Sequence, residues 1–458
     1  MNRSTLRALD RDLDGDVVFP GHPGYDSARM LWNAMIDKRP SVIVRCLSDS
    51  DVAMSIRFAS EAGLALAVRG GGHSVAGNSS CDGGLIVDLS RMRQVTVDPR
   101  SRRAHVAGGA VWADVDGRCS EHGLHTTGGV VSSTGVAGLA LGGGIGWLSR
   151  LWGHTCDNLA SARVVTASGE VVTASERENP DLLWGLRGGG GNFGVVTRFE
   201  FSLHPVTTVV GGWLKFPWDR ARAALETYRD VMAEAPDRLS AAAILTDDRD
   251  LGPVVALVPC YVGRTDDAER WIDALRAPGP LFDDVGEKRY VEHQTIYETP
   301  PPPPMGHYWK SNFFRELDGG SIDALISAAE LEFRPGLVIS LEVLGGAASR
   351  VSADEAAFAH RAELYNYLAD AGWVDPTDAE RSIDWARRAS ALMEPHLSPG
   401  NYVNYMSEDD QPDPAERVRR AYGSVGGARL ISLKDRYDPG NVFRLNHNIP
   451  PSAAATHQ

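Results

Sequence analysis

Arg69–Gly77 reads R-G-G-G-H-S-V-A-G. Three glycines directly after a short apolar strand bare consecutive backbone N–H groups, and such groups can cradle a diphosphate because their partial positive charge points at the anion. The spacing is neither GxGxxG nor GxxxxGK[ST], so a Rossmann or P-loop reading fails. His73 stands where a ligand would pass close by. The plainer reading is a glycine-rich turn with a surface histidine.

Two further clusters extend the pattern. Gly128–Gly146 (GGVVSSTGVAGLALGGGIG) places Gly135, Gly138 and Gly142 to Gly144 in an otherwise apolar stretch. Such backbone can press against a flat apolar ring and a pyrophosphate at once; alone it reads equally as a packing loop. Leu186–Val196 (LRGGGGNFGVV) is the third cluster and leads into an amphipathic strand. Three clusters within one half of the chain, at the ends of predicted strands, point jointly to a large extended cofactor.

The surrounding sequence is that of a globular protein: 458 residues, 43% hydrophobic, 23% charged. Its length allows two or three domains. The net charge of −14 argues against a nucleic-acid surface. Cys46, Cys81, Cys119, Cys156 and Cys260 are scattered and form no CxxC, which speaks against a disulfide framework or a zinc site. His154, His360 and His447 lack metal-binding spacing. No apolar run is long enough for a bilayer, and Met1–Asp16 lacks a signal-peptide core; a cytoplasmic location is the expectation.

Alternating elements are predicted over about 38–100: strands Ser41–Cys46, Leu64–Val68 and Leu85–Leu89, and a helix Ser50–Ala62 capped by Asp49 or Ser50. Short strands follow at Val95–Asp98, Arg103–Val106, Ala162–Thr166, Val171–Thr173 and Val195–Phe201, with a hairpin turn at Ala167–Glu170. From about 206 to 415 the pattern predicts an antiparallel sheet with helices. The helices are Trp218–Ala235, Asp266–Ala274, Ser321–Leu331 and Thr377–Met393; the extended runs are Leu251–Val262, Tyr308–Phe314 and Leu337–Leu344. Pro300–Pro304 reads as a loop. Arg436–Pro451 reads as an extended tail packing back on the first domain.

The order RGGGHS, TGVAGLALGGGIG, GGGGNFGVVT, YVNY, then DPGNVF with NHNIPP, resembles the berberine-bridge-enzyme-like flavoproteins. These belong to the superfamily of vanillyl-alcohol oxidase and p-cresol methylhydroxylase. The resemblance covers nearly the whole chain and is nearest to a bacterial branch of amine and polyketide-tailoring oxidases. It implies an α+β, two-domain p-cresol-methylhydroxylase-type FAD-binding fold with an antiparallel-sheet substrate domain. Residues 1–205 (core about 38–205) would bind FAD, 206–415 the substrate, and 416–458 would return to the FAD domain.

The resemblance also implies residue roles. His73 matches the histidine bonded to the flavin 8α carbon. Arg69, Gly70, Gly71, Gly72 and Ser74, followed by Gly77, match the pyrophosphate loop. Gly135, Gly138, Gly142, Gly143 and Gly144 match the second loop. Thr134 and Leu139 flank it and are expected beside the reactive side of the flavin. Val196 matches a backbone contact near the adenine, and Asn446 and Asn448 the segment closing over the flavin. Many family members carry a second tether, a cysteine before the second glycine loop. Here Val131 holds that position and Cys156 lies too late, so a single covalent bond is expected, with Cys156 as a small buried hydrophobe. An 8α imidazole withdraws electrons and prevents cofactor loss, which suits oxidation of an unactivated alcohol or amine.

Removing hydride from a carbon next to oxygen or nitrogen requires a proton acceptor nearby. Tyr402 and Tyr405, on a short stretch read as extended and so facing different sides, are candidates; Tyr405 is preferred, and aromatic packing is the alternative for both. Glu342 is a charged residue in an apolar strand, SLEVL. Burial would raise its pKa and suit acid–base work, and a solvent-facing position is the alternative. For Tyr308 and Trp309 plain sheet packing is the expectation. The expected partners are a small-molecule substrate (a natural product, a sugar or a cyclic amine) and O2, which is reduced to H2O2, with no nucleic acid or membrane, in a monomer or homodimer. The rival functions are a dehydrogenase using another electron acceptor, an N5-oxide monooxygenase, and a non-catalytic binding protein.

Overall fold

Val42–Arg45, Leu85–Asp88 and Leu66–Arg69 lie side by side and parallel, with Asp16–Val18 antiparallel at one edge. These runs are continuously apolar because both faces of the sheet are covered; Val42, Ile43, Val44, Leu85, Ile86 and Val87 are fully buried. The structure, a computed structural model, describes residues 3–298, 304–407 and 413–455. The crossover helix Asp49–Glu61 is capped by Ser48, whose hydroxyl accepts from the Asp51 amide at 3.2 Å. The cap thus falls just before the expected Asp49 or Ser50.

A second sheet is wholly antiparallel, in the order Val95–Asp98, Arg103–Ala107, Val195–Ser202, Leu159–Val165, Val171–Ser175. Phe199 and Phe201, two apart and so on one face, are buried and stack at 5.7 Å. The Ala167–Glu170 turn closes its last hairpin, with Gly169 at φ 79°.

Among the described residues the third sheet has nine strands, from Thr208–Gly211 to Tyr365–Trp373, all paired antiparallel. Its residues alternate strictly. Odd positions of Leu239–Asp248, Leu337–Val343 and Tyr365–Trp373 pack under the helices Ala221–Glu234, Gly319–Ala329 and Ala379–Met393. Even positions (Ala242, Ile244, Thr246; Val338, Ser340, Glu342; Leu368, Asp370) face the glycine loops. The central strands Leu239–Asp248 and Tyr365–Trp373 were not expected. Ala and Asp weaken the strand signal of the first, and Asn, Ala, Asp and Gly interrupt that of Tyr365, Tyr367 and Trp373 in the second; pairing on both sides overrides both.

Helices Pro414–Tyr422 and Ser424–Tyr437, which were not expected, precede the tail, and from Asp438 to Pro451 the tail runs without helix or strand. It is fastened by Lys434 and Asp438, a pair with no exposed side-chain surface at 2.6 Å. Lys434 Nζ also donates to the carbonyls of Asn192 (3.0 Å) and Phe443 (2.9 Å), tying the tail to the third glycine cluster. Pro300–Pro303, part of the expected proline loop, lie outside the described residues. Among the described residues no helix is long and apolar enough to cross a membrane.

Candidate active site

The glycine loops and the even-numbered face of the third sheet enclose a cavity of about 780 Å3. That lies within the roughly 300–1,000 Å3 of small-molecule and cofactor sites. Gly70 to Ser74, Thr134, Gly135, Gly138, Leu139, Val196 and Asn446 line it, as do Gly190 to Asn192 of the third cluster. The first two loops touch backbone to backbone: a Cβ built on Gly71 would sit 2.5 Å from the Gly135 nitrogen. Only glycine allows this approach.

Other expected residues stand behind the lining. Arg69 is turned away, paired with Asp88 at 2.6 Å and donating to the Ala28 carbonyl at 2.5 Å, so its guanidinium braces the loop from behind. Gly77 packs on Ile36, and Gly142, Gly143 and Gly144 pack on Asn404, Phe358 and Thr155. Asn448 is also off the cavity surface. Polar atoms without protein partners, Ser79 Oγ, Asn446 Oδ1 and Trp309 Nε1, belong to lining residues. An aromatic and apolar wall, an amide-rich wall and unmatched polar atoms together fit a dinucleotide with a flat ring system, as in FAD.

His73 faces this cavity rather than bulk water. Its Nε2 lies 2.9 Å from Ser133 Oγ and its Nδ1 3.5 Å from Thr134 Oγ1. The ring stacks on Trp32 with centroids 4.7 Å apart. Trp32 also stacks with His307 at 4.2 Å, and His307 Nδ1 lies 3.1 Å from Asp370 Oδ1. Burial, aided by His307, pushes the His73 pKa down to about 4, so the imidazole is neutral at neutral pH. Val131 lines the cavity and carries no sulfur. Cys156 is fully buried beside Ile145, Phe358 and Tyr402, away from the lining.

Glu342 and Tyr405 meet at the cavity wall. Tyr405 OH donates to Glu342 Oε1 at 3.1 Å, and Asn366 Nδ2 donates to Oε2 at 2.7 Å. The accessible part of Glu342 faces the cavity, not the outer surface. Burial raises its pKa, opposed by the bonds from Asn366 and Tyr405. Burial and the Glu342 carboxylate hold the Tyr405 phenol protonated.

Tyr402 requires a correction. The stretch read as extended is a 3-10 turn, Val403–Tyr405, which puts Tyr402 and Tyr405 on neighbouring sides with rings 4.8 Å apart. Tyr402 OH accepts from the amides of Gly144 (2.9 Å) and Ile145 (3.3 Å) and from Asn404 Nδ2 (2.9 Å). It does not reach the cavity; it holds the glycine loop. Trp309, expected as plain packing, instead lines the cavity. Sequence reasoning missed Asn366, Asn404, Trp32 and the His307–Asp370 pair. The even-position polar residues of Tyr365–Trp373 were a signal for Asn366 and Asp370. Nothing local marks Trp32.

Comparison with known proteins agrees with this geometry. Residues 40–175 match the FAD binding domain family and 401–450 the berberine and berberine-like family. The chain is 30% identical to (R)-6-hydroxynicotine oxidase of Paenarthrobacter nicotinovorans, over 98% of this chain and all of that one. It is 31% identical to an FAD-linked oxidoreductase of Dictyostelium discoideum, over 96% and 95% of the two chains. The crystal structure of 6-hydroxy-D-nicotine oxidase from Arthrobacter nicotinovorans superposes with a TM-score of 0.88 at 28% identity, covering 96% of this chain and 98% of that one. The glycine cradle, the cavity and these likenesses agree: the chain belongs to the berberine-bridge-enzyme-like FAD-dependent oxidoreductases, with their p-cresol-methylhydroxylase-type fold.

Proposed function

We propose that the protein is an FAD-linked oxidase whose cofactor is held by one covalent bond, from a ring nitrogen of His73 to the flavin 8α carbon. The observation that carries this is the His73 imidazole at the cavity wall, flanked by the Gly70–Gly72 cradle, with no thiol among the described lining residues. Residues 1–205 and the segment from 416 on serve the cofactor, and 206–415 the substrate.

Bound FAD supplies a hydride acceptor for a C–H bond next to oxygen or nitrogen, and O2 is its expected reoxidant. The chain's own residues manage the proton. A substrate hydroxyl or amine beside Tyr405 gives its proton to the phenol oxygen as the phenol proton passes to Glu342 Oε1. Asn366 keeps the carboxylate in register by holding its second oxygen. The apolar sheet face (Ala242, Ile244, Val338, Leu368) excludes water from the reacting atoms.

Acid precipitation followed by a spectrum tests the tether: the pellet of the wild-type protein should stay yellow, and that of His73→Ala should be colourless. Mixing the reduced protein with oxygenated buffer tests the oxidase reading. The expected result is reoxidation at a rate that rises with O2, yielding H2O2. Slow reoxidation with fast reduction of an artificial dye would replace it by a dehydrogenase.

A further inference from the structure

Across the cavity from Glu342, one charged pair has no part in the chemistry above. Lys215 Nζ lies 2.6 Å from Asp248 Oδ2, and both residues line the cavity. Asp248 is itself fixed: its Oδ1 accepts from the amides of Asp250 (3.0 Å) and Leu251 (3.1 Å) in the turn between two long strands. The ammonium is also flanked by the rings of Trp213 (5.5 Å) and Phe282 (5.2 Å), the latter partly exposed. An ammonium has three N–H bonds and Asp248 takes one, so donors remain for a ligand. The pair is neutral as a whole, which favours an uncharged oxygen over an anion.

The register places this pair relative to the Glu342–Tyr405 end. One row across the sheet reads Lys215, Ala256, Ile244, Ser340. Lys215 is therefore three strands from the Glu342 strand, or about 14 Å at the usual strand spacing. The floor between them is Ala256, Ile244, Ala242 and Val338, with Ile296 and Tyr297 beside it. The hydroxyls of Thr246 and Ser340 lie on it and that of Tyr297 beside it, and Thr246 already donates to the Leu337 carbonyl at 3.1 Å. A sugar laid there would leave most of its hydroxyls unpaired, at roughly 1–3 kcal/mol each.

We propose that Lys215 and Asp248 form a remote recognition site for a carbonyl or hydroxyl at the far end of an elongated, largely apolar, fused-ring substrate. This rests on the reading of the cavity as an oxidase site and names its substrate class. Lys215 donates to the terminal oxygen, the apolar floor carries the rings, and the oxidisable end reaches Tyr405.

Calorimetric titration of the flavin-loaded protein tests this, using 2,6-dihydroxyanthraquinone, with a hydroxyl at each end of its long axis, 2-hydroxyanthraquinone, and cellobiose. The two-ended compound should bind about tenfold tighter than the one-ended compound, the scale of one hydrogen bond to a charged donor. Cellobiose should show no heat of binding. Lys215→Met should erase the tenfold difference by weakening the two-ended compound alone, and Lys215→Arg should keep it. Thermal melting of the variants checks that they fold, and a misfolded Lys215→Met leaves the wild-type comparison decisive. Cellobiose binding more tightly than the anthraquinones would overturn the proposal. So would equal binding of the two anthraquinones, or equal weakening of both by Lys215→Met. Protein that retains tethered flavin but binds neither anthraquinone overturns only this inference; protein without flavin overturns the oxidase reading beneath it.

Discussion

The glycine loops and the even-numbered face of the third sheet meet across one cavity but shape it by different means. On the loop side the backbone itself is the surface. Gly71 and Gly135 approach so closely that any side chain would push the loops apart. On the sheet side the surface is made of side chains, selected by a period of two and aligned by pairing between distant strands. The first arrangement tolerates almost no substitution but admits any ligand with a diphosphate and a flat ring. The second tolerates change and so can set specificity.

The largest effect should come from the loop side. Gly71→Val should abolish flavin incorporation and destabilise the protein, whereas Gly138→Ala, whose Cβ would meet no protein atom within 4 Å, should fold normally yet take up less flavin. Flavin-to-protein absorbance ratio and thermal melting read both; normal flavin loading in Gly71→Val would break the contrast. Next, Lys434→Met leaves Asp438 charged and buried without its partner, for a loss of about 3–5 kcal/mol, measurable by urea unfolding. A loss below about 1 kcal/mol would mean that the tail is held by its apolar contacts alone.

On the sheet side stability and activity should separate. Glu342→Gln should lower kcat by about 10²–10³-fold while the flavin spectrum stays intact. The raised pKa of Glu342 favours its protonated form in the folded state. Its contribution is therefore fully present below the ordinary glutamate pKa and is lost as pH rises through the raised value. Glu342→Gln should thus melt higher than wild type at neutral pH. It should also lose the acidic limb of the pH profile of kcat/KM, a limb expected above the ordinary glutamate range. A variant both inactive and less stable would contradict the separation. The smallest effect is expected from Tyr402→Phe, about 1 kcal/mol from the lost contacts to Gly144 and Asn404, with the acidic limb unmoved.

The same contrast explains what could be read from the sequence. The cradle was legible because its signal is local: glycines at strand ends and a histidine between them. Glu342 was visible as an oddity in an apolar strand, yet its orientation depended on a register set by two neighbouring strands, one of them about a hundred residues away in sequence. Leu239–Asp248 was invisible because its Ser-Ala-Ala-Ala start carries no strand preference, though it lies in the middle of the sheet. Arg69 and Tyr402 were misplaced for a related reason. Position beside a motif does not say whether a side chain meets the ligand or braces the loop; here Asp88 and the Gly144 amide decide it. Trp32 lies in an aperiodic segment, and only the folded chain brings it against His73.

The central claim is the bond at His73, and peptide mapping tests it most directly. Trypsin should release residues 70–91 of the flavin-loaded protein as a yellow peptide heavier by one FAD, with the added mass on His73. An unmodified 70–91 peptide from yellow protein, or the flavin on any other peptide, would contradict the account.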